Sequence, residues 1–233
     1  MSHILTRYQQ LILQDHPLAY WRMSERSGTN IADISGNGYH GTVTGANIVL
    51  GARGAIPNDP DPAISSSADD ASYIQTPDMP VLDAITGAFS IEVWALTNTL
   101  TVANVIRGIW AANSGVTGYA YLALNTTSKI ILRIAPGAST ITPASAAIIT
   151  GQWYHAVGIW DGTNAYVVLN GIKGTPVAGS GNMTFHTGTG AIARYDTATN
   201  RSWNGSIDEV AIYAYALSAQ QTLDHYRIGT CRK

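Results

Sequence analysis

Charge is what this chain has least of. Of its 233 residues, Lys and Arg number 13 and Asp and Glu 15, so charged residues make up 12%, against about 25% in an ordinary soluble domain. Lysine occurs only at Lys129, Lys173 and Lys233, and glutamate only at Glu25, Glu92 and Glu209. A net charge of −2 with no basic stripe excludes a nucleic-acid binder, which neutralises phosphates with clustered cations. The one cysteine, Cys231, excludes an intrachain disulfide framework. No apolar run approaches the ~18 residues of a membrane-spanning helix, so no membrane insertion is expected. Leu11-Ile12-Leu13 is too short an apolar run for a signal peptide. A surface so poor in lysine suits either extensive protein contacts, because interface cores are depleted in Lys and Glu, or an extracellular-type β-protein with a neutral surface.

Catalytic motifs are scarce too. His3, His16, His40, His155, His186 and His225 are scattered, without H-E-x-x-H or a pair at metal-ligand spacing. No G-x-S-x-G occurs, and Cys231 sits in a tail, a poor place for a nucleophile. The chain reads as a non-enzyme.

What the chain does have is alternation. Phe89 to Leu96 places Phe89, Ile91 and Val93 on one face and Ser90, Glu92 and Trp94 on the other. Further strands are expected at Leu18–Met23, 63–64, 73–75, 102–110, 118–124, 129–135, 153–160, 165–169, 172–177 and 191–195. Asp161-Gly162-Thr163-Asn164 and Asn170-Gly171 mark tight turns between three of them. Many short strands with frequent turn signals make an all-β sandwich. Residues 2–15 instead carry Ile4, Leu5, Tyr8, Leu11 and Ile12 at helical spacing, and His16-Pro17 ends that pattern. The apolar stripe either packs on the chain's own sandwich or docks on a neighbouring subunit; its place ahead of the sandwich favours docking. The chain divides into a helical arm over 1–16 and one domain over 17–233, large enough to bury roughly 70–75% of its unfolded surface.

Two stretches carry candidate ligands. Asp33, Ser35 and Asn37 put side-chain oxygens at positions 1, 3 and 5, with Gly38 at 6, as in the opening of a calcium loop. Position 12 is Thr44, so the loop is incomplete and needs a carboxylate from elsewhere, for which Asp208 is the candidate. Otherwise Asp33 closes an Asx-turn and Asp208 caps nearby backbone amides. The second stretch, Trp203 to Tyr213, alternates like a half-buried strand and opens on Asp208-Glu209. Adjacent residues of a regular strand face opposite sides. Two carboxylates at a buried strand's mouth call for a cation. Ser218 then caps a helix from Ala219 to about Ile228, which Gly229 is expected to stop.

The closing stretch, W-x-G-x-I-D-E-V-x-I-Y followed by Leu217-Ser218, resembles the end of laminin G-like domains of the concanavalin A-like superfamily. Ala19-Tyr20-Trp21-Arg22-Met23-Ser24-Glu25, Ala32-Asp33-Ile34-Ser35-Gly36-Asn37-Gly38, Phe89-Ser90-Ile91-Glu92-Val93-Trp94 and Trp153-Tyr154-His155-Ala156-Val157 resemble that family's other anchors. The resemblance implies a two-sheet antiparallel jelly-roll sandwich with short terminal helices. It also implies a structural Ca²⁺ held by Asp33 and Asp208 with help from Asn37. Some relatives are retaining glycosidases with E-x-D-x-E on one strand, a chemistry that needs two carboxyls about 5–5.5 Å apart; around Glu92 the same-face neighbours are Ser90 and Trp94, so the pair is missing. A helix ahead of the Y-W-R motif resembles structural proteins of tailed bacteriophages. That implies a non-catalytic virion protein, a decoration or tail-associated component, whose partners are other virion proteins or copies of itself. The alternative is a calcium-dependent lectin of the virion or extracellular surface that binds cell-surface glycans. For stacking on sugars, Trp21, Trp94, Trp153 and Trp203 sit in family anchors and read as core, whereas Trp110, Trp160, Tyr119, Tyr121 and Tyr195 lie near turns.

Overall fold

The computed structural model describes residues 6–85, 87–100, 106–112, 120–137, 140–183, 188–195 and 201–231. In chain order the first elements are α1 (Arg7–Gln14), β1 (Ala19–Trp21), β2 (Asn30–Ile31), β3 (Gly41–Thr44), β4 (Ile48–Ala52), β5 (Ala63–Ser67), β6 (Tyr73–Thr76) and α2 (Pro80–Asp83). The middle holds β7 (Phe89–Thr97), β8 (Arg107–Ala112), β9 (Ala120–Leu124), β10 (Lys129–Ile134), β11 (Ala144–Ala147) and β12 (Trp153–Trp160). The last are β13 (Asn164–Leu169), β14 (Ile172–Lys173), β15 (Val177–Ala178), β16 (Gly190–Ile192), β17 (Asn204–Tyr213) and α3 (Ala219–Thr230). The expected strand residues 102–105 and 118–119, and the helix residues 2–5, lie outside the described residues.

Two antiparallel sheets result. One runs β14-β13-β12-β7-β17-β5-β4, with β1 also on β17 and β15 also on β13; the other runs β11-β10-β9-β8-β16-β6-β3-β2. Between them lies a core that includes Trp21, Trp110, Trp160 and Trp203, each 0% exposed. Trp110 and Trp160, expected near turns, are thus core residues: alternation along β8 and β12 turns them inward. The family sandwich is present, with the helices outside it.

The outer face of the first sheet is not left to solvent. Tyr20, Trp94, Val157, Ile159, Ala211 and Tyr213 project there and form a second apolar layer with Tyr8 and Ile12 of α1 and with Leu217. Helix α1 begins where the Thr6 hydroxyl accepts the Gln9 amide and ends at Asp15, before His16 takes a φ of 48° ahead of Pro17. Its buried residues, Tyr8, Gln9 and Ile12, face the chain's own sheet. Of the two readings of the stripe, its described members Tyr8 and Ile12 support packing on the chain's own sandwich. Helix α3 opens on a Ser218/Gln221 capping box. It runs through Gly229, which is not the expected stop: a Cβ there would lie 2.5 Å from the Trp94 ring, so the glycine lets the helix approach the sheet.

A buried polar knot fixes both helices to that layer. Glu92 on β7 is 0% exposed. Its Oε1 accepts from His155 Nε2 at 2.6 Å and from Tyr8 Oη at 3.3 Å, and its Oε2 accepts from Tyr213 Oη at 2.8 Å. His225 of α3 donates through Nδ1 to both carboxylate oxygens at 3.0 Å and through Nε2 to Asp15 Oδ2 at 2.8 Å. Burial alone would raise Glu92, but His225 and His155 hold it well below the usual carboxylate range. Burial likewise disfavours the imidazolium, yet Glu92 and Asp15 push His225 up to about 10.

His225 therefore folds as a cation. Its contribution is complete below its ordinary value of 6.5 and fades as pH rises toward about 10. Glu92 has the opposite sign: its contribution is complete above 4.5 and is lost as pH falls. Stripping one partner from a buried ion set costs about 3–5 kcal/mol, so His225→Ala should lower the melting temperature on the order of 10 °C. Melting scans of wild type and variant should converge as pH climbs from 7 to 10; a constant gap would contradict the cationic assignment. Deleting residues 1–15 removes Tyr8 and Asp15 together, and scanning calorimetry should show a less stable chain with an unchanged oligomeric state.

Candidate functional site

Strand β17 changes partners halfway. On one side it pairs β7 throughout, whereas on the other it pairs β5 along Asn204–Ile207 and β1 along Val210–Ile212. At the changeover Asp208 stands opposite Trp94 and Ala211 opposite Glu92, leaving Glu209 and Val210 against Val93 alone. This is a β-bulge, and Glu209 carries its strain with a φ of 52°. The inserted residue breaks the alternation. Ile207 and Val210 both enter the inter-sheet core, while Asp208 and Glu209 both reach the outer face. The expectation that they point apart is corrected, because a period-2 reading assumes that no residue is inserted.

The cation that meets Glu209 is Arg22, supplied by the Tyr20-Trp21-Arg22 segment. Its guanidinium, 5% exposed, pairs with Glu209 Oε1 at 3.0 Å and Asp59 Oδ2 at 2.7 Å, bonds Gln9 Oε1 of α1 at 3.2 Å, and also pairs with Asp61. Tyr20 donates its hydroxyl to Glu209. The loop over 53–61 is thereby tied to the sheet. Asp59 and Asp61 hold Arg22, the Ala55 amide donates to Asp208 Oδ2 at 2.8 Å, and Arg26 donates to the Pro60 carbonyl at 3.1 Å. Burial pushes the Asp208 carboxyl well above its usual range, and neighbouring Glu209 adds to this. In sequence this loop shows only as the polar run Pro57-Asn58-Asp59-Pro60-Asp61-Pro62; the signal for its anchor is a lone Arg beside two aromatics destined for burial.

The candidate calcium ligands each have hydrogen-bond partners of their own. Asp33 Oδ1 accepts the Tyr20 and Ser35 amides, both at 2.9 Å, and Oδ2 accepts the Ser35 hydroxyl at 2.9 Å and the Tyr39 amide at 2.8 Å. Asn37 is exposed and its Nδ2 donates to the Leu18 carbonyl at 2.9 Å. Asp208 is occupied with Ala55 in the 53–61 loop. In these contacts Asp33 is a turn-closing acceptor, and Asp208 Oδ2 caps the Ala55 amide. Among the described residues no group of three or more His, Cys, Asp or Glu side chains is placed to hold a metal.

Beside the tethered loop the outer face opens. Ser206, Leu96 and Trp153 lie in register across β17, β7 and β12. With Arg53, Asn58 and Asp59 they line a cleft of about 840 Å³. Trp153, expected in the core, is only half-buried because it begins β12 at the margin of the second apolar layer. Arg53 and Asn58 are exposed, Asn58 held at a φ of 63°. The other expected platforms are closed: Tyr121 is buried, and Tyr195 packs on it with ring centroids 4.3 Å apart, beneath the Arg201 guanidinium. Tyr119 lies outside the described residues. An indole floor with hydrogen-bonding groups on its rim suits a ring that is apolar on its face and polar at its edge.

Two stability tests follow from the carboxylates. Asp33→Ala strands three amides and should cost about 2 kcal/mol, read as a melting temperature lower by roughly 4–8 °C. The loss should be equal in calcium and in chelator; a loss confined to calcium would restore the metal. An acid with a raised folded value is protonated when folded and ionised when unfolded, so its burial costs more as pH rises above 3.8. Asp208→Asn keeps the acceptor for Ala55 and should therefore gain a few degrees over wild type at pH 7 and nothing at pH 4.

A model of the laminin G-like kind, described as the concanavalin A-like lectin/glucanases superfamily, matches residues 68–222. A search of curated proteins returns no match. Among solved structures the chain is similar to domain 4 of a GH43 extracellular arabinanase from Geobacillus stearothermophilus, solved with arabinotriose: 20% identity, TM-score 0.69, 90% of this chain and 98% of that one covered. It is similar to the binding domain of Paraclostridial mosquitocidal protein 1 at 13% identity and a TM-score of 0.71, covering 92% of this chain and 52% of that one. The binding domain of botulinum neurotoxin serotype G gives 14% and 0.69, with 91% and 51% covered. The chain thus spans the whole arabinanase domain but about half the length of the toxin domains. The family model covers most of the sequence, and on it the chain belongs to the concanavalin A-like lectin/glucanases superfamily.

Proposed function

We propose that this protein is a non-catalytic binding module that takes carbohydrate in the cleft over Trp153. The half-buried indole carries the reading, set beside a layer in which Tyr20, Trp94 and Tyr213 are sealed and flanked by a loop that buried ion pairs hold in place. The arabinanase domain solved with arabinotriose supports a sugar ligand on this fold. Absence of catalysis is supported by the burial of the one constellation that resembles an acid–base set: Glu92, His155 and His225 are each 0% exposed, so no substrate reaches them. The finer setting we propose is a bacteriophage virion, as a decoration or tail-associated protein. The Y-W-R opening behind a helix and the lysine-poor surface support it.

A glycan array probed with the full chain tests the reading. Binding should be weakened at least tenfold by Trp153→Ala, since stacking on an aromatic face is worth on the order of 1–3 kcal/mol, while the melting temperature changes little. Binding should persist in chelator, which separates the proposal from a calcium-dependent lectin. Hits indifferent to Trp153→Ala would move the site elsewhere.

A further inference from the structure

We infer that the ligand of this cleft is a sugar bearing a carboxylate, read by Arg53; this rests on the cleft being the binding site. The groups that line it are unequal in their chemistry. Arg53 offers five N–H donors and no acceptor, is exposed, and makes no ion pair or hydrogen bond among the described residues. Its acidic neighbours are already committed. Asp59, whose side chain is 3% exposed, gives one oxygen to Arg22 and the other to the Asp61 amide at 3.1 Å, and Asp61 pairs with Arg22 as well. The Trp153 indole N–H and the Asn58 amide add further donors, also without partners among the described residues. Against these stand the Ser206 hydroxyl and the Asn58 carbonyl as free acceptors.

A neutral sugar presents hydroxyls, each of which donates as well as accepts, and would leave much of this donor set unanswered. A carboxylate accepts only, through two oxygens whose spacing fits a guanidinium fork. Placed on a ring stacked over Trp153, it lies at the ring's edge, where the rim of the cleft carries Arg53. Charge-assisted hydrogen bonds contribute about 1.5–3 kcal/mol, a factor of roughly 10 to 100 in affinity. Because Arg53 is open to water, that factor shrinks with added salt.

The experiment takes array hits for the full chain and measures each by calorimetry beside its carboxyl-reduced counterpart, with wild type, Arg53→Gln and Trp153→Ala. The expected result is hits that carry a uronic or other carboxylated sugar. Carboxyl reduction and Arg53→Gln should each weaken them at least tenfold, the two losses should not add, and wild-type affinity should fall as salt rises. Hits that are neutral, or that ignore both carboxyl reduction and Arg53→Gln while remaining sensitive to Trp153→Ala, overturn this inference and leave the proposed function standing. Hits insensitive to Trp153→Ala, or no hits from a panel containing both acidic and neutral glycans, overturn both.

Discussion

The Arg22 guanidinium is where four parts of the chain meet. It sits on the segment after β1, pairs with Glu209 in the bulge of β17, takes Asp59 and Asp61 from the 53–61 loop, and bonds Gln9 of α1. Removing a cation from water costs several kcal/mol, and attraction to its partners repays this only when hydrogen bonds satisfy the group on all sides. Here they come from three elements distant in sequence, so the fold must be complete before the charge is compensated. That makes the cluster a weak source of net stability and a strong source of specificity. A β17 that slipped by one residue would carry Glu209 away from Arg22 and leave both charges buried and alone.

Glu92 repeats the device a few residues away on the same face. In each case a sheet carboxylate is met by a cation from outside the sheet: Arg22 for Glu209, His225 for Glu92. The consequence is a second core on the back of a sandwich that already has one between its sheets. A domain with so few charges uses several of its carboxylates in this way. Ordinary sandwiches leave one sheet face to water and polar residues; here Ser90, Glu92 and Trp94 look like a solvent face in sequence and are all buried.

That inversion explains what could and could not be read from the amino acids. Strands with clean alternation, such as β7 and β12, were legible to within a residue, as was the Ser218 cap of α3. The short strands β2, β3, β4 and β11 were not, because two to five residues are too few to show a period, and their pairing depends on longer neighbours. The bulge escaped because nothing in Asp208-Glu209-Val210 marks an inserted residue; its cause lies in the exchange of β5 for β1 beside it. Gly229 was misread for a related reason, since a glycine that ends a helix and one that admits an indole look alike in one dimension. The carboxylates of the candidate site were legible as needing a cation, but that the cation is a side chain from position 22 is a fact of topology. Trp153 was hidden by the company of three core tryptophans in similar motifs.

The same closure determines what the face can still do. Apolar area on the outer sheet is covered by α1, α3 and Leu217, and the row Ser206–Leu96–Trp153 lies beyond that layer, where the cleft opens. The loop that walls this row is fastened at Ala55, Asp59, Pro60 and Asp61, which leaves Arg53 and Asn58 projecting from a backbone that is already ordered. Binding costs grow with the freedom a site must give up, and here most of the loop's freedom was removed by folding. Arg22 and Asp208 never touch the cleft, yet they position the groups that line it. The buried ions therefore connect the two halves of the structure: the cation needed to bury Glu209 also holds the loop that presents Arg53 to solvent.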